Sequence, residues 1–383
     1  MRQAQLTAGP QGLGRQVFRV VDAQALADEW RPDLRFLVLP TAGTDAQRLQ
    51  ATTAQLGNAW PIQSDELQAG DVVVPTAGGT KLTVLLRESD EHHALFLTNR
   101  CSSRCLMCSQ PPTAHDDGWL VQEAIDAVRH IRQAPANLGI TGGEPLLLGP
   151  QLRQLLDVIH QQLPRTAVDL LTNARQLADP ALAHGLLQGL ATPVRWLVPL
   201  YGAADFVHDH VVQAPGAYEQ TLAGLLTLQE HGQAIQLRIV LIQPVLEQLT
   251  TLCEFIGRNL PFVQEVALMA CEPTGYALAN RELCEVDLQH WHPTLQAATQ
   301  ALRRHRVPFV LMNTPLCAID PALWPQARRS ISDWKQTYAP ACQGCAVRSD
   351  CAGLFAWHTR GWAPAPVRAI TQEEQATWEE QAT

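Results

Sequence analysis

From Ala94 onward, short apolar runs alternate with helical stretches of ten to fifteen residues, which is the sequence form of a parallel sheet built from βα units. The spacing predicts strands at 94–98, 137–141, 167–172, 194–200, 236–242 and 264–270. Helices are expected between them, at about 119–133, 150–162, 180–190, 216–231 and 246–258. Parallel βα folds bind ligands at the C-terminal ends of their strands, so the polar residues at those ends are the first candidates for chemistry.

The first strand runs into Cys101-Ser-Ser-Arg-Cys105-Leu-Met-Cys108, three thiols in eight residues. Offsets of four and three would also place them on one face of a helix, but Thr98 to Arg104 supply no apolar face and Pro111-Pro112 closes the segment, so a loop is expected. A zinc knuckle would need a fourth ligand close by, and only His92 and His93 are near. Three thiolates can instead ligate three irons of a cubic [4Fe-4S] cluster and leave the fourth iron open to a reacting ligand.

Other strand ends add to this. The second closes on Thr141-Gly142-Gly143-Glu144-Pro145, where two glycines permit positive φ and close approach to bare backbone. The third ends in Thr172-Asn173, which could contact ligand or cap the next segment. Arg238 stands amid β-branched residues of the fifth strand, where a buried guanidinium needs either an ion-pair partner or a ligand carboxylate. Cys271, Cys253 and Cys284 read as core positions. His208, Asp209 and His210, like His290 and His292, lack metal-ligand spacing and read as surface or hydrogen-bonding residues, Asp209 and His210 being open to substrate contact.

The motif Cys-x3-Cys-x2-Cys after a first strand, followed one βα unit later by Gly-Gly-Glu, resembles the radical S-adenosylmethionine (radical SAM) enzymes. That resemblance implies a partial (β/α)6 barrel and a [4Fe-4S] cluster held by Cys101, Cys105 and Cys108. It also implies SAM seated on the open iron, with Met107, Gly142, Gly143, Glu144, Thr172, Asn173 and Arg238 as its expected contacts. Two positions depart from the family pattern: Ala174 stands where a glycine often follows Thr-Asn, and Pro199 where relatives place a serine for the ribose.

A second constellation, Cys317 with Cys342-Gln-Gly-Cys345 and Cys351, supplies four thiolates that would satisfy zinc or an iron-sulfur cluster equally. Its Cys-x2-Cys-x5-Cys spacing resembles the auxiliary-cluster domain called SPASM, or its shorter twitch form, and implies one auxiliary [4Fe-4S] cluster because Phe355 occupies the place of a further cysteine. Cys108-Ser-Gln-Pro-Pro112, Leu268-Met269 with Glu272-Pro-Thr-Gly275, and Pro315-Leu-Cys317 with Ala327 to Trp334 are similar to the His-Xaa-Ser system radical SAM maturases of the HxsC type. The likeness implies a peptide-modifying enzyme acting on a small protein with His-Xaa-Ser repeats, beside a second radical SAM maturase and an external reductant.

Four segments follow: an α+β accessory domain at 1–90, the barrel at 91–300, the auxiliary-cluster domain at 301–362 and a tail at 363–383. A net charge of -9 argues against nucleic-acid binding. The chain shows no apolar run of membrane-spanning length and no secretory h-region, so a cytoplasmic protein is expected, and ten clustered cysteines read there as metal ligands rather than disulfides. Radical SAM chemistry on a small molecule such as a nucleotide is the nearest alternative activity, with Arg328-Arg329 as its phosphate site. A non-catalytic zinc or iron-sulfur adaptor is the alternative of another class.

Overall fold

The computed structural model describes residues 2–5, 14–76, 81–358, 362 and 367–382. The first ninety residues build a six-stranded mixed sheet from β1 (Arg2–Gln5), β2 (Phe18–Asp22), β3 (Phe36–Leu39), β4 (Ala59–Pro61), β5 (Asp71–Pro75) and β6 (Lys81–Arg87), ordered β1-β6-β5-β2-β3-β4. The apolar runs Val72-Val73-Val74 and Leu82 to Leu86 flank Gly78-Gly79, which signals a hairpin; β5 and β6 pair antiparallel, and the turn itself lies outside the described residues. The β5 run Val72-Val73-Val74 is apolar on both faces because both are covered. Val73 joins a core with Phe18 and Leu37, whereas Val72 and Val74 pack into the main core with Val121 and Ile125.

The second sheet is entirely parallel. Its strands are β7 (Ala94–Phe96), β8 (Asn137–Thr141), β9 (Ala167–Leu171), β10 (Val194–Pro199), β11 (Ala234–Leu241), β12 (Glu265–Ala270), β13 (Phe309–Met312) and β14 (Ala327–Arg328), side by side in chain order. The six expected strands are all present, with helices at 119–130, 150–162, 180–187, 217–230 and 249–259 between them. Two further strands continue the sheet: the helix His292–Arg304 crosses over to β13, so residues beyond 300 complete the barrel wall before the chain reaches the second cysteine group.

Alternation along the strands separates two environments. Trp196, Val198, Ile235, Leu237, Ile239, Val266 and Leu268 face the helices and are fully buried in one continuous core. Each such side chain contributes about 1.5–3 kcal/mol relative to exposure. The opposite parity carries Asp169, Arg195, Gln236, Arg238 and Glu265 to the inside of the barrel, in register across β9 to β12.

A buried ionic node ties the two sheets together. Arg19, 3% exposed, donates to Glu29 at 2.5 Å and to both oxygens of Glu88 at 2.8 and 3.0 Å, and Glu88 also accepts from the backbone N–H groups of Arg132 and Gln133 at the end of the first barrel helix. Arg19→Ala leaves the Glu88 carboxylate buried beside no cation, and is expected to cost about 3–5 kcal/mol. A urea unfolding curve shifted to a lower midpoint checks it.

Candidate metal and cofactor site

The cysteine octapeptide forms a non-helical loop beyond β7, held from several directions. At its start, the Thr98 hydroxyl and the Asn99 side-chain amide donate to Asp117 at 3.0 Å each, and Asn99 N–H donates there too. Arg175 donates to the Ser102 carbonyl at 2.7 Å and to Ser103 Oγ at 3.2 Å, and Asn173 Nδ2 reaches Ser102 Oγ at 3.0 Å. Backbone bonds from Arg104 and Leu106 to Val212 and Val211 dock the middle of the loop on the helix after β10. Asn280 donates to the Leu106 carbonyl at 2.9 Å, and Tyr276 N–H to that of Cys108 at 2.8 Å. Gly275, at φ 60°, is required here because a Cβ would lie 2.4 Å from the Cys108 carbonyl oxygen.

The three thiols are half-buried and lie within electrostatic reach of one another. Burial pushes Cys101 up to about 11, Cys105 to about 12, and Cys108 upward as well. Protonated thiols in so closed a space suit a cationic centre, which would stabilise the thiolates that burial alone disfavours. Neither nearby histidine supplies a fourth ligand: His92 bonds to Asp333 at 2.7 Å and His93 to the Arg87 carbonyl at 3.0 Å. The donor set therefore fits a centre that keeps one position open.

Gly142-Gly143 serves first to bring strand end and cysteine loop into contact. A Cβ on Gly143 would stand 2.1 Å from the Arg100 carbonyl oxygen, and one on Gly142 2.7 Å from that of Thr98. The N–H groups of Gly143 and Glu144 donate to those same two carbonyls, at 2.6 and 2.8 Å. Glu144 is 1% exposed, and its carboxylate accepts from Leu146 N–H, the Thr172 hydroxyl at 2.6 Å and Asn173 N–H at 2.7 Å. The Glu144 carboxylate and Thr172 hydroxyl, both expected among the cofactor contacts, are buried here and bond to protein, joining β8 to β9. Met107, 6% exposed, lies in the main core, and so also serves packing. Asp209 is likewise spent on the backbone, accepting from Gly216 and Tyr218 N–H.

Arg238 differs. Its Nε donates to Gln236 Oε1 at 3.1 Å, and it has no ion-pair partner among the described residues. Burial brings its pKa down to about 10, still cationic at neutral pH. Deeper in the barrel, Asp169 is held bidentately by Arg195 at 2.7 Å and by Asn137 at 2.8 Å. Arg175 and Asp117, which anchor the loop, carry no motif signal in the sequence.

Cys317, Cys342, Cys345 and Cys351 line one cavity with Val367 and Ile370. Cys351 Sγ accepts from Leu316 and Gly353 N–H, each at 3.4 Å, and Cys345 Sγ from Ile370 N–H at 3.3 Å. These bonds orient the two sulfurs, while burial pushes the Cys317 and Cys351 thiols up. Among the described residues, the only trio of His, Cys, Asp or Glu ligand atoms lying within 4.8 Å of one another is the exposed Glu91, His92 and Asp333, so no three of these four sulfurs are drawn together that tightly.

Two outcomes test this geometry. Gly143→Ala forces the Arg100 carbonyl aside and is expected to cost roughly 3 kcal/mol and to lower iron uptake, measured by unfolding and by iron content. His208, 1% exposed, accepts from Tyr201 N–H through Nδ1, and burial depresses its pKa from 6.5 to about 4. Its contribution is complete above pH 6.5 and is lost as pH falls toward 4, on the order of 3 kcal/mol. His208→Asn, which keeps an acceptor but does not titrate, should flatten that part of the stability profile in denaturation midpoints at pH 7 and pH 4.5.

Residues 95–256 match the Radical SAM superfamily. Comparison with curated proteins yields no match. Among solved structures, the chain is similar to SuiB of Streptococcus suis bound to S-adenosylmethionine, at 15% identity over 58% of this chain and 50% of that one, with a TM-score of 0.45. It is also similar to a radical SAM methyltransferase from Sphaerobacter thermophilus (16%, 70% and 82%, TM-score 0.43) and to anSMEcpe with bound AdoMet and Cp18Cys peptide (12%, 56% and 62%, TM-score 0.42). The chain spans about half the length of SuiB. The stretch 95–256, under half of the chain, is thus similar to the radical SAM superfamily, whose members are enzymes that use S-adenosylmethionine with a [4Fe-4S] cluster.

Proposed function

We propose that this chain is a peptide-modifying radical SAM maturase acting on a ribosomally made peptide or small protein of the His-Xaa-Ser repeat type. The observation that carries the radical SAM reading is the convergence of Cys101, Cys105 and Cys108 at the mouth of a parallel barrel, above an Arg238 that has no ion-pair partner among the described residues. Cys101, Cys105 and Cys108 would hold a [4Fe-4S] cluster with one iron left open, which, charged by the external reductant, would supply one-electron reductive cleavage of SAM for hydrogen abstraction from the peptide. Gly142 and Gly143 press their backbone against the loop that carries it, Asn173 steadies Ser102 within the loop, and Arg238 offers its guanidinium to the SAM carboxylate.

Cys317, Cys342, Cys345 and Cys351 hold an auxiliary [4Fe-4S] cluster on this reading. The Cys342-x2-Cys345-x5-Cys351 spacing, similar to the SPASM or twitch form, supports the cluster, and the N–H groups directed at Cys345 and Cys351 would stabilise thiolate ligands of either centre. With all four ligands from protein, such a cluster would be suited to accepting an electron from the substrate radical rather than to anchoring the peptide. The His-Xaa-Ser substrate, the second maturase and the external reductant rest on the sequence resemblance around Cys108–Pro112, Glu272–Gly275 and Ala327–Trp334. The phosphate site that a nucleotide substrate would want is not favoured, since Arg328 is exposed and donates to the carbonyls of Pro325 and Ala327. No described helix is long and apolar enough to cross a membrane.

Anaerobic reconstitution is expected to give about eight irons per chain, and dithionite with SAM to yield 5'-deoxyadenosine. Cys105→Ala should lose about four irons and all of the product. Four irons with one zinc would overturn the auxiliary assignment. SAM cleavage without deuterium transfer from a labelled repeat peptide would overturn the peptide substrate.

A further inference from the structure

We propose that residues 367–370 form a strap over the second cysteine centre, with Ile370 as the positioning residue that aims a backbone N–H at Cys345 and the helix behind it as the latch that holds the strap in place. The inference goes beyond the reading above and rests on one part of it, that Cys317, Cys342, Cys345 and Cys351 hold a metal centre. The strap contains no cysteine, histidine or carboxylate, so its residue types do not mark it as part of a metal site.

The strap is placed by its contacts with the thiols. Val367, Arg368 and Ile370 line the same cavity as the four cysteines. Ile370 is clamped to the Cys342-x2-Cys345 turn from both sides: its N–H donates to Cys345 Sγ at 3.3 Å, and its carbonyl accepts from Ala346 N–H at 2.9 Å. Its side chain, 2% exposed, belongs to the main core, which fixes the register of the clamp. Arg368 turns its backbone N–H toward Cys317. Cys351 takes its donors from Leu316 and Gly353 within the cysteine-bearing region, whereas Cys345 takes one from the strap.

The latch follows directly. The helix Gln372–Ala382 opens on a capping box in which Thr371 N–H donates to the Glu374 carboxylate at 2.9 Å and Glu374 N–H to Thr371 Oγ1 at 3.2 Å. The same carboxylate pairs with Arg368 at 2.8 Å and ties the helix start to the strap. Farther along, Trp378 packs on Trp324 with ring centroids 5.2 Å apart, and the Trp324 indole N–H donates to the Leu316 carbonyl at 3.0 Å, one residue before Cys317. A helix of eleven residues is marginal by itself, so this docking is what orders it. Two consequences follow for a metal held by the thiols. An N–H donated to a ligating sulfur stabilises the more negative, reduced form of a cluster and raises its potential, and a docked cover slows escape of the metal.

The test uses the full chain in a Cys105→Ala background, where the second centre alone carries metal. Ile370→Pro removes the N–H and keeps an apolar side chain, whereas Ile370→Val keeps both. In a dithionite titration followed by electron paramagnetic resonance, Ile370→Pro should show about three- to tenfold less reduced centre than the background at a fixed poise, with Ile370→Val unchanged. Trp378→Ala leaves every cysteine and every N–H donor in place, should release metal to a chelator about tenfold faster, and carries the test should Ile370→Pro fail to load iron. Equal shifts in Ile370→Pro and Ile370→Val, or release from Trp378→Ala at the background rate, overturn the strap alone. Zinc in place of iron overturns the cluster reading, and the chelator rates then decide the strap. A background chain with no metal at the four cysteines overturns the second centre and the strap together.

Discussion

The close approach of Gly143 to the Arg100 carbonyl underlies much else. Because no side chain intervenes, the end of β8 can donate two backbone hydrogen bonds into the segment that opens the cysteine loop. The same turn sends Glu144 inward, where it accepts three bonds and joins β8 to β9. From β9, Asn173 and Arg175 then reach back to Ser102 and Ser103. The three sulfurs are held at one place by a chain of short contacts passing from strand end to strand end. Convergence of this kind is what an open-cornered cluster requires of its ligands.

The inside of the barrel follows a different logic from its wall. Apolar residues of one parity bury themselves against helices, and this hydrophobic sorting leaves the other parity free to be polar. Asp169 with Arg195, and Glu265 with Gln236, neutralise or anchor one another near the N-terminal ends of the strands. Arg238 stands above them with donors to spare. Partly buried and still cationic at neutral pH, it has no ion-pair partner among the described residues.

The two cysteine centres are delivered by the same device. Cys101 lies five residues past the end of β7 at Phe96, and Cys317 five residues past the end of β13 at Met312. Each strand carries its thiol to the mouth of the same sheet. The second centre is then completed by Cys342, Cys345 and Cys351 from a region with little regular structure, where Tyr338 bonds to the Cys351 carbonyl and Ile370 N–H to Cys345. Bringing β13 into the barrel wall is what makes the second cysteine group continuous with the barrel.

Much of this was legible in the residues. Strand and helix order from 94 to 270, both cysteine groups and the glycines after β8 come from local periodicity and spacing, because burial of one face at a time leaves its period in the chain. Phe309–Met312 was not legible as a barrel strand, since a four-residue apolar run carries no period of its own and acquires its identity only by pairing with β12. The commitments of Glu144, Thr172 and Asp209 to protein partners, the grip of Arg175 and Asp117 on the cysteine loop, and the lack of an ion-pair partner for Arg238 among the described residues were decided by tertiary structure alone. Which donor meets which acceptor depends on strands brought together from dozens of residues apart, and no local pattern encodes that distance.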